Sequence, residues 1–309
     1  MDHPVRTIEI FNTNIPIRKY GCSNKGLEPK VISHPRLNLF IQLTQNCNAS
    51  CKFCEYHNTC KTNFNISKLE EILKEINSKI IIGKLNFTGG EPTLNEKLFC
   101  DVFECVKNNI NYDKKPEVTV NTNGYNLDIL LKYQDIIDSI GLSCHHYDDK
   151  KNFEIFGTNS VANSQKIKEF QQQIENKSIV QMRCNLISGY VDSFKEVKKY
   201  LDNAISLGVR DCGFVTLMPL NDFCKEHQID FANLIDSNDD SFIKVNYWNR
   251  LDDNLEKSLC NCANYVYSNE EGQMCKFYSR LFCNANLNEG QLVYDGQNLR
   301  YGFGGKIIY

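Results

Sequence analysis

Residues 37–54, LNLFIQLTQNCNASCKFC, join an apolar run to three cysteines, Cys47, Cys51 and Cys54, with the spacing Cys-x3-Cys-x2-Cys. The apolar run is typical of a buried β-strand, so the cysteines follow directly on a predicted strand end. Three thiolates within eight residues can bind three irons of a [4Fe–4S] cluster and leave the fourth iron without a protein ligand. An open iron of this kind is a place where a cofactor can bind.

A second motif, TGGEP at residues 88–92, follows the β-rich run KIIIGKLNF. Glycines at a strand end let the backbone come close to a ligand, and the carboxylate of Glu91 beside them can accept a hydrogen bond from an ammonium group. The motif lies about 35 residues after the third cysteine, and a helix-like stretch separates the two.

Together the two motifs resemble the signature of the radical S-adenosylmethionine (radical SAM) superfamily. The resemblance implies that the three cysteines bind a [4Fe–4S] cluster whose open iron chelates the amino and carboxylate groups of SAM. One electron from the cluster would then cleave SAM to methionine and a 5′-deoxyadenosyl radical. Glu91 and the backbone of Gly89 and Gly90 would hold the methionine ammonium, and an electron donor such as flavodoxin or ferredoxin would be a partner.

Strand-like and helix-like stretches alternate from residue 37 to about residue 218. The predicted strands are 37–43, 80–88, 116–122, 138–145, 178–187 and 210–218. The predicted helices are 66–78, 95–109, 126–137, 161–176 and 191–207. This alternation predicts an α/β fold with a parallel sheet covered by helices. Six such units fit a partial (β/α)6 TIM-like barrel, the fold that the resemblance implies, with ligand-binding residues at the carboxyl ends of the strands.

Several strand-end residues align with SAM contacts of two kinds of relative, the GTP cyclase of molybdenum-cofactor synthesis and peptide-modifying enzymes with a cluster-bearing extension. Phe53 matches a position whose backbone contacts adenine. Ser143 matches a ribose-binding serine, and Met218 matches a residue that lies against adenine. Arg183 aligns with a basic residue that faces substrate or SAM, and Asn121–Gly124 (NTNG) match the Thr-Asn-Gly of the third strand.

Each of these positions also has a structural interpretation. Phe53 and Met218 are apolar and can pack in the core. A guanidinium such as that of Arg183 is costly to bury alone, so we expect it to meet a carboxylate of SAM, of substrate or of a neighbour. His145 shares a face with Ser143 and is a candidate for the substrate pocket, with a hydrogen-bonded structural histidine as the alternative.

Cys224, just after the last predicted strand, is a candidate active-site thiol that could donate a hydrogen atom to a substrate radical, although burial would make it inert. The chain also departs from the cyclase pattern. Asn86 stands where that enzyme has a substrate-binding arginine, and CANYVYSN, at residues 262–269, lacks the cyclase's pair of C-terminal arginines. A phosphate-rich nucleotide would be held poorly without these cations, which disfavours GTP cyclisation.

A second group of cysteines lies in the turn-rich C-terminal part of the chain, at Cys260, Cys262, Cys275 and Cys283. Between them, ANYVYSNEEGQM predicts a hairpin that turns at Glu-Glu-Gly. A cysteine pair, a hairpin and further cysteines resemble the twitch or SPASM-like auxiliary-cluster extension of some radical SAM enzymes. This resemblance implies a second [4Fe–4S] cluster, while zinc or free thiols are the alternatives.

The predicted organisation is therefore an N-terminal segment at 1–36, a radical SAM core at 37–220 and an auxiliary-cluster domain at 221–309. The 309 residues are 41% hydrophobic, which suits one large domain with an appendage. The start of the sequence lacks the apolar stretch of a signal peptide, and no segment is apolar enough to span a membrane. Fifteen cysteines favour metal or redox chemistry over disulfides, so we expect a cytoplasmic protein. The net charge of −3 gives no reason to expect nucleic-acid binding.

Three hypotheses of function follow. The first is a radical SAM enzyme that abstracts a hydrogen atom from a peptide or an amino-acid derivative. The second is a radical SAM enzyme that acts on a small metabolite such as a nucleotide or a sugar. The third, from a different class, is a zinc-binding interaction module in which His57 or Cys60 completes the ligand set of the three clustered cysteines.

Overall fold

The computed structural model describes residues 6–17, 36–55, 63–229, 234, 239–245, 263–280 and 290–309. The first eight strands are β1 (Arg6–Ile10), β2 (Thr13–Ile17), β3 (Arg36–Gln42), β4 (Ile81–Thr88), β5 (Glu117–Thr122), β6 (Ser139–Ser143), β7 (Val180–Leu186) and β8 (Asp211–Thr216). The strands that follow are β9 (Phe242–Val245), β10 (Ala263–Ser268), β11 (Met274–Arg280), β12 (Gln291–Tyr294) and β13 (Leu299–Tyr301). The helices are α1 (Ile66–Lys79), α2 (Glu96–Asn109), α3 (Asp128–Leu131), α4 (Asp149–Phe156), α5 (Ser164–Gln173), α6 (Phe194–Ser206) and α7 (Asp222–Glu226).

Strands β3 to β13 form one sheet in the order β13-β12-β3-β4-β5-β6-β7-β8-β11-β10-β9, and β1 pairs with β2 in a separate hairpin. The six predicted strands, β3 to β8, are adjacent, parallel and in chain order. The predicted α/β class with a large, mostly parallel sheet is therefore confirmed. The longest helices have 14 residues, and within the described ranges none has the length and apolar character needed to cross a membrane.

Two helix predictions were inaccurate. The predicted helix at 126–137 is helical only over α3, and turns with bonds such as Tyr133 N–H to Leu130 O and Ile136 N–H to Tyr133 O continue it. The apolar residues of this segment still reach the core, because Ile136 and Ile137 are buried. Helix α4 was not predicted. It begins at an Asp148 cap and ends at Gly157, whose φ of +66° is the left-handed conformation that glycine adopts easily.

The C-terminal part of the chain extends the sheet at both edges. Strand β11 pairs in parallel with β8, and β12 pairs in parallel with β3. The predicted hairpin is present, since β10 and β11 pair antiparallel around the Glu-Glu-Gly turn. The predicted boundary at residue 220 therefore separates two parts of the chain that share one sheet.

Side chains alternate between the two faces of the sheet, as the pleat requires. Along β7, Met182, Cys184 and Leu186 are buried on the face that packs against the helices, and Arg183 lies on the opposite face. We call that opposite face the inner face. It carries polar residues on several neighbouring strands, as in the ion pair of Lys84 with Glu117, 3.2 Å apart.

Candidate functional site

The three clustered cysteines lie on a loop at residues 43–55, the cysteine loop, that leaves the carboxyl end of β3. Cys51 is buried, and Cys47 and Cys54 are half-buried. The unpredicted helix α4 supports the loop, because the Ser50 N–H donates to the Phe156 carbonyl at 2.8 Å. The cysteines are thus held against the protein, with their backbone fixed by a neighbouring unit of the fold.

The TGGEP motif packs directly against the cysteine loop. The Gly90 N–H donates to the Thr44 carbonyl at 2.7 Å, and the Glu91 N–H donates to the Asn46 carbonyl at 2.9 Å. A Cβ atom at Gly89 would lie 2.4 Å from the Thr44 oxygen, and one at Gly90 would lie 2.1 Å from the Asn46 oxygen. The glycines therefore allow two backbones to touch, and their contact with a ligand remains a prediction.

The Glu91 carboxylate is fully buried, and both of its oxygens accept hydrogen bonds from the protein. Its Oε1 accepts from the Thr93 N–H at 2.9 Å, the Thr93 hydroxyl at 2.6 Å and the Thr122 hydroxyl at 2.7 Å. Its Oε2 accepts from the Asn123 N–H at 2.7 Å. Burial raises the pKa of Glu91, and the hydrogen bonds from Thr93, Asn123 and Thr122 oppose that rise. In the structure Glu91 joins the ends of β4 and β5, and its predicted contact with a SAM ammonium stays a prediction.

The NTNG motif after β5 reaches the cysteine loop through Asn123. One amide N–H of Asn123 lies toward Asn48 Oδ1, with 2.8 Å between the heavy atoms, and its Nδ2 is 3.7 Å from Cys47 Sγ. The Ala49 N–H also donates to Cys47 Sγ, at 3.4 Å. The two sequence motifs and the first cysteine therefore form one hydrogen-bonded network.

Burial and mutual proximity raise the pKa values of two thiols of the cysteine loop, Cys47 and Cys51. Burial, together with the neighbouring Cys54 and Cys47 thiols, raises the pKa of Cys51 to about 12, and burial raises that of Cys47. Thiolates here need positive charge, which bound iron supplies. Among the described residues, no three His, Cys, Asp or Glu side chains are gathered as one metal ion requires.

The segment that follows β8 also contacts the cysteine loop. The Asn221 side-chain amide donates to the Lys52 carbonyl at 3.0 Å, and the Cys224 thiol lies 3.6 Å from the Phe53 carbonyl. Cys224 is buried, so its predicted role as a hydrogen-atom donor would need access that this position restricts. Phe53 is half-buried, and Met218 on the same side is 44% exposed.

His145 is buried beside the cysteine loop, with its ring centroid 5.1 Å from that of Phe53 and 4.8 Å from that of Phe156. Its Nδ1 accepts from the Asn185 N–H at 3.1 Å, so the proton of the neutral ring lies on Nε2. Burial lowers the pKa of His145 to about 3. The side chain is neutral near pH 7, which favours the structural interpretation over an acid–base role.

Arg183 of β7 lies on the inner face, where it pairs with Ser143 of β6 on one side and with Gly213 of β8 on the other. Gly213 in turn pairs with Tyr278 of β11, so the four residues form one row. Its guanidinium donates to the Gln181 side-chain oxygen at 2.9 Å and to the side-chain oxygen of Asn121. Both acceptors are neutral amides, and within the described ranges no carboxylate forms an ion pair with Arg183. The carboxylate expected from the sequence is therefore not one of the described side chains.

Two glycines make room on the inner face. A Cβ atom at Gly141 would lie 2.4 Å from the Arg183 guanidinium, and one at Gly213 would lie 2.3 Å from the Tyr278 ring. Arg183 and Tyr278 thus lie flat across neighbouring strands. Tyr278 was not predicted as a site residue, because it belongs to a C-terminal strand whose pairing with β8 has no local sequence signal. The alternation of buried residues along β11 indicates on which of the two faces Tyr278 lies, but it does not indicate which strand pairs with β11.

The C-terminal cysteines are described only in part. Cys260, Cys262 and Cys283 lie outside the described residues. Cys275 is fully buried on β11, and its Sγ lies 3.7 Å from Cys212 Sγ on β8. The other predicted ligands, His57 and Cys60 of the zinc hypothesis, are also outside the described residues.

Comparison with known proteins gives a consistent family. The model of the "Radical SAM superfamily" matches residues 41–235. The chain is 34% identical over 131 residues to the "Probable GTP 3′,8-cyclase" of Thermoplasma volcanium, covering 41% of this chain and 38% of that protein. It is 28% identical over 121 residues to the "S-adenosylmethionine-dependent nucleotide dehydratase" of Fibrobacter sp., covering 37% of this chain and 35% of that protein. The matched segments thus span less than half of these relatives.

Among solved structures, the chain is similar to Streptococcus suis SuiB bound to S-adenosylmethionine. The TM-score is 0.49 and the sequence identity is 21%, and the match covers 62% of this chain and 43% of that one.

Proposed function

The chain belongs to the radical SAM superfamily of enzymes, and we propose that it cleaves SAM reductively at a [4Fe–4S] cluster held by Cys47, Cys51 and Cys54. When bound, such a cluster supplies the electron that cleaves SAM to methionine and a 5′-deoxyadenosyl radical. We further propose that this radical abstracts a hydrogen atom from an organic substrate on the inner face of the sheet.

The observation that supports this proposal best is the network that joins three strand ends at one edge of the sheet. The cysteine loop after β3, the TGGEP motif after β4 and the NTNG motif after β5 are bonded to one another through Glu91 and Asn123. A fixed ligand loop of this kind holds its thiols ready for iron, since the protein need not reorganise on binding.

The inner face offers a second wall on which substrate or SAM can bind. Ser143 and Arg183 face it from neighbouring strands. Because the guanidinium is held by neutral amide oxygens, its positive charge is available to an anionic group, such as the carboxylate of SAM or an acidic group of the substrate. Phe53 and Met218 would bind adenine, Ser143 would bind ribose, and Glu91 with Gly89 and Gly90 would bind the methionine ammonium.

The first candidate substrate is a peptide or an amino-acid derivative. A carboxylate on such a molecule satisfies the charge of Arg183. Asn86, which stands where the cyclase has a substrate-binding arginine and is buried on β4, supports a substrate with less negative charge than a nucleoside triphosphate.

The second candidate is a small metabolite such as a nucleotide. The names of the curated relatives, a GTP cyclase and a nucleotide dehydratase, favour it. A substrate with one phosphate would still fit the positive charge of Arg183. A panel of substrates deuterated at carbon separates the two candidates, because only the true substrate transfers deuterium to 5′-deoxyadenosine.

The C-terminal cysteines carry a further part of the proposal. Cys260, Cys262, Cys275 and Cys283 would bind a second [4Fe–4S] cluster, and Cys275 would have to turn from its present contact with Cys212 to do so. An electron donor such as flavodoxin or ferredoxin would reduce the first cluster in the cytoplasm. Cys224 and His145 remain candidates for contact with the substrate radical.

Replacement of Cys47, Cys51 and Cys54 by Ala tests the proposal. The triple variant should form no 5′-deoxyadenosine from SAM and dithionite, because the ligands of the SAM-cleaving cluster are gone. A matched control replaces Cys100 and Cys105, half-buried thiols on α2, and should retain full cleavage. Cleavage by the triple variant would overturn the assignment.

Iron analysis of the same triple variant tests the second cluster. About four irons per chain should remain if the C-terminal cysteines bind a [4Fe–4S] cluster. Further replacement of those four cysteines should bring the iron content close to zero. A folded triple variant that holds no iron would show that the second cluster does not exist.

A further inference from the structure

The side chain of Asn123 lies against Cys47, one of the three proposed cluster ligands. Asn123 Nδ2 has two N–H groups, and the structure gives each an acceptor. One is Asn48 Oδ1 at 2.8 Å, and the other is Cys47 Sγ at 3.7 Å, within the range of a hydrogen bond to sulfur. Asn123 itself is not a ligand of any metal in the proposed function.

The orientation of this amide is fixed by the bonds around it. The Asn123 backbone N–H donates to Glu91 Oε2 at 2.7 Å, and Asn123 Oδ1 accepts from the Tyr125 N–H at 3.0 Å. Because Oδ1 is occupied by a donor, the N–H side of the amide must face the sulfur. Asn123 is nearly buried, so water competes little for these groups.

An N–H group that points at a ligand sulfur stabilises negative charge on it. The reduced state of an iron–sulfur cluster carries one more negative charge than the oxidised state, so the hydrogen bond stabilises the reduced state more and raises the reduction potential. Cys47 also accepts from the Ala49 N–H at 3.4 Å, but that donor is backbone and no side-chain substitution removes it.

We propose that Asn123 is a positioning residue that sets the reduction potential of the SAM-cleaving cluster through its N–H contact with Cys47. This inference rests on the proposed function, since it needs the cluster to be there. It gives the NTNG motif a role apart from binding SAM or substrate. The buried Glu91 carboxylate contributes indirectly, by holding the backbone from which the Asn123 amide extends.

The test is an anaerobic redox titration followed by the EPR signal of the reduced cluster, with the wild-type protein, Asn123→Ala and the control Asn48→Ala. SAM is absent during the titration and is added afterwards, because the signal that SAM alters identifies the right cluster. Asn123→Ala should shift the midpoint potential to a more negative value. Asn48→Ala should not shift it to a more negative value, because Glu91 and Tyr125 still hold the Asn123 amide against the sulfur, and at the sulfur the substitution removes only an acceptor oxygen 3.8 Å from Cys47 Sγ.

Other outcomes overturn the inference. An unchanged potential in Asn123→Ala, or an equal shift in both variants, would show that the contact does not tune the cluster. Asn123→Ser, which keeps a small polar side chain, serves as a second variant if Asn123→Ala binds no iron. Loss of iron in both, with normal iron in Asn48→Ala, would give Asn123 a purely structural role and would also overturn the inference.

Failure of the proposed function gives a different result. A wild-type protein that holds no iron and forms no 5′-deoxyadenosine refutes the proposed function itself. A wild-type protein with a normal cluster and normal cleavage, combined with an unmoved potential in Asn123→Ala, refutes only the role of Asn123.

Discussion

Two regions of the sheet differ in how their polar groups are satisfied. At the ends of β3, β4 and β5, the buried carboxylate of Glu91 has four protein donors, and backbone meets backbone at Gly90. On the inner face of β6, β7, β8 and β11, the described acceptors of the Arg183 guanidinium are neutral amides, and side-chain ends lie over Gly141 and Gly213. We call the first region the cysteine wall and the second the arginine wall.

The difference shows what each region is suited to do. In the cysteine wall, Glu91 and Gly90 are hydrogen-bonded within the protein. The wall can therefore hold a cofactor in one geometry with little reorganisation. In the arginine wall, the guanidinium of Arg183 can bind an anionic ligand. This wall can also change shape on binding, because side chains rather than backbone fill the space over Gly141 and Gly213. We therefore expect substitutions in the cysteine wall to change assembly and stability, and those in the arginine wall to change ligand binding.

Replacement of Gly90 by Ala should have the largest effect. Its new Cβ would lie 2.1 Å from the Asn46 carbonyl oxygen, and backbone cannot move aside as a side chain can. We expect the cysteine loop to shift, with loss of cluster iron and a destabilisation of about 1–3 kcal/mol or more. Iron analysis and urea unfolding measure both effects.

Gly141→Ala is the matched control, because its new Cβ meets only the movable guanidinium of Arg183. It should keep its iron. If both variants keep their iron, the cysteine wall is not rigid and the contrast between the two walls fails.

Glu91→Gln should have the next largest effect, and it should appear in the protein without iron or SAM. The Gln side-chain NH2 would face groups of Thr93, Thr122 or Asn123 that themselves donate hydrogen bonds. At least one charge-assisted hydrogen bond is therefore lost, which lowers the free energy of unfolding by about 1.5–3 kcal/mol. Chemical unfolding of the iron-free protein measures this. Glu96→Gln, on the exposed start of α2, is the control. An unchanged stability combined with weaker SAM binding would make Glu91 a SAM ligand instead of a structural carboxylate.

Arg183→Lys should affect binding and leave the fold intact. An ammonium cannot reproduce the planar fork that reaches Asn121 and Gln181 while facing an anion. Loss of one charged hydrogen bond to a ligand corresponds to an affinity about ten- to a hundredfold weaker. Isothermal titration with SAM, and again with the substrate once it is known, shows which ligand Arg183 binds. Normal affinity for both would exclude the proposed role of the arginine wall.

The smallest effect concerns pH and His145, which lies where the two walls meet. The folded-state pKa of about 3 is below the ordinary value of 6.5, so the unfolded chain takes up the proton first as the pH falls. Stability should therefore decrease from about pH 6.5 toward pH 3, with a loss of about 1.4 kcal/mol from this group at pH 5.5.

His145→Asn, which keeps an acceptor for the Asn185 N–H, should reduce this pH dependence without abolishing it. Burial also lowers the pKa of His146, so that residue adds a decrease of the same sign. Unfolding curves at pH 7.5 and pH 5.5 compare the variant with the wild type. An identical pH dependence in both would show that His145 can be protonated within the fold.

The sequence alone determined much of the cysteine wall and of the sheet. Cys47, Cys51 and Cys54 are close along the chain, and each motif follows directly on a strand, so local spacing was enough to place them together. The six central strands have apolar runs bounded by polar turns, and these predicted the parallel order correctly. Local patterns of this kind depend on neighbours in sequence, which a reader of the sequence can see.

Only the tertiary structure decided the arginine wall and the partners of the buried polar groups. Tyr278 reaches the inner face because β11 pairs with β8, a contact between residues far apart in the chain. Helix α4, which supports the cysteine loop through Ser50, was not predicted, although Asp148 and Gly157 are typical helix-capping residues. The sequence marks Glu91 as a candidate ligand-binding carboxylate, whereas its four protein donors, from residues up to 32 positions away, are visible only in the fold. Such bonds depend on where distant segments pack, and packing is set by the whole fold.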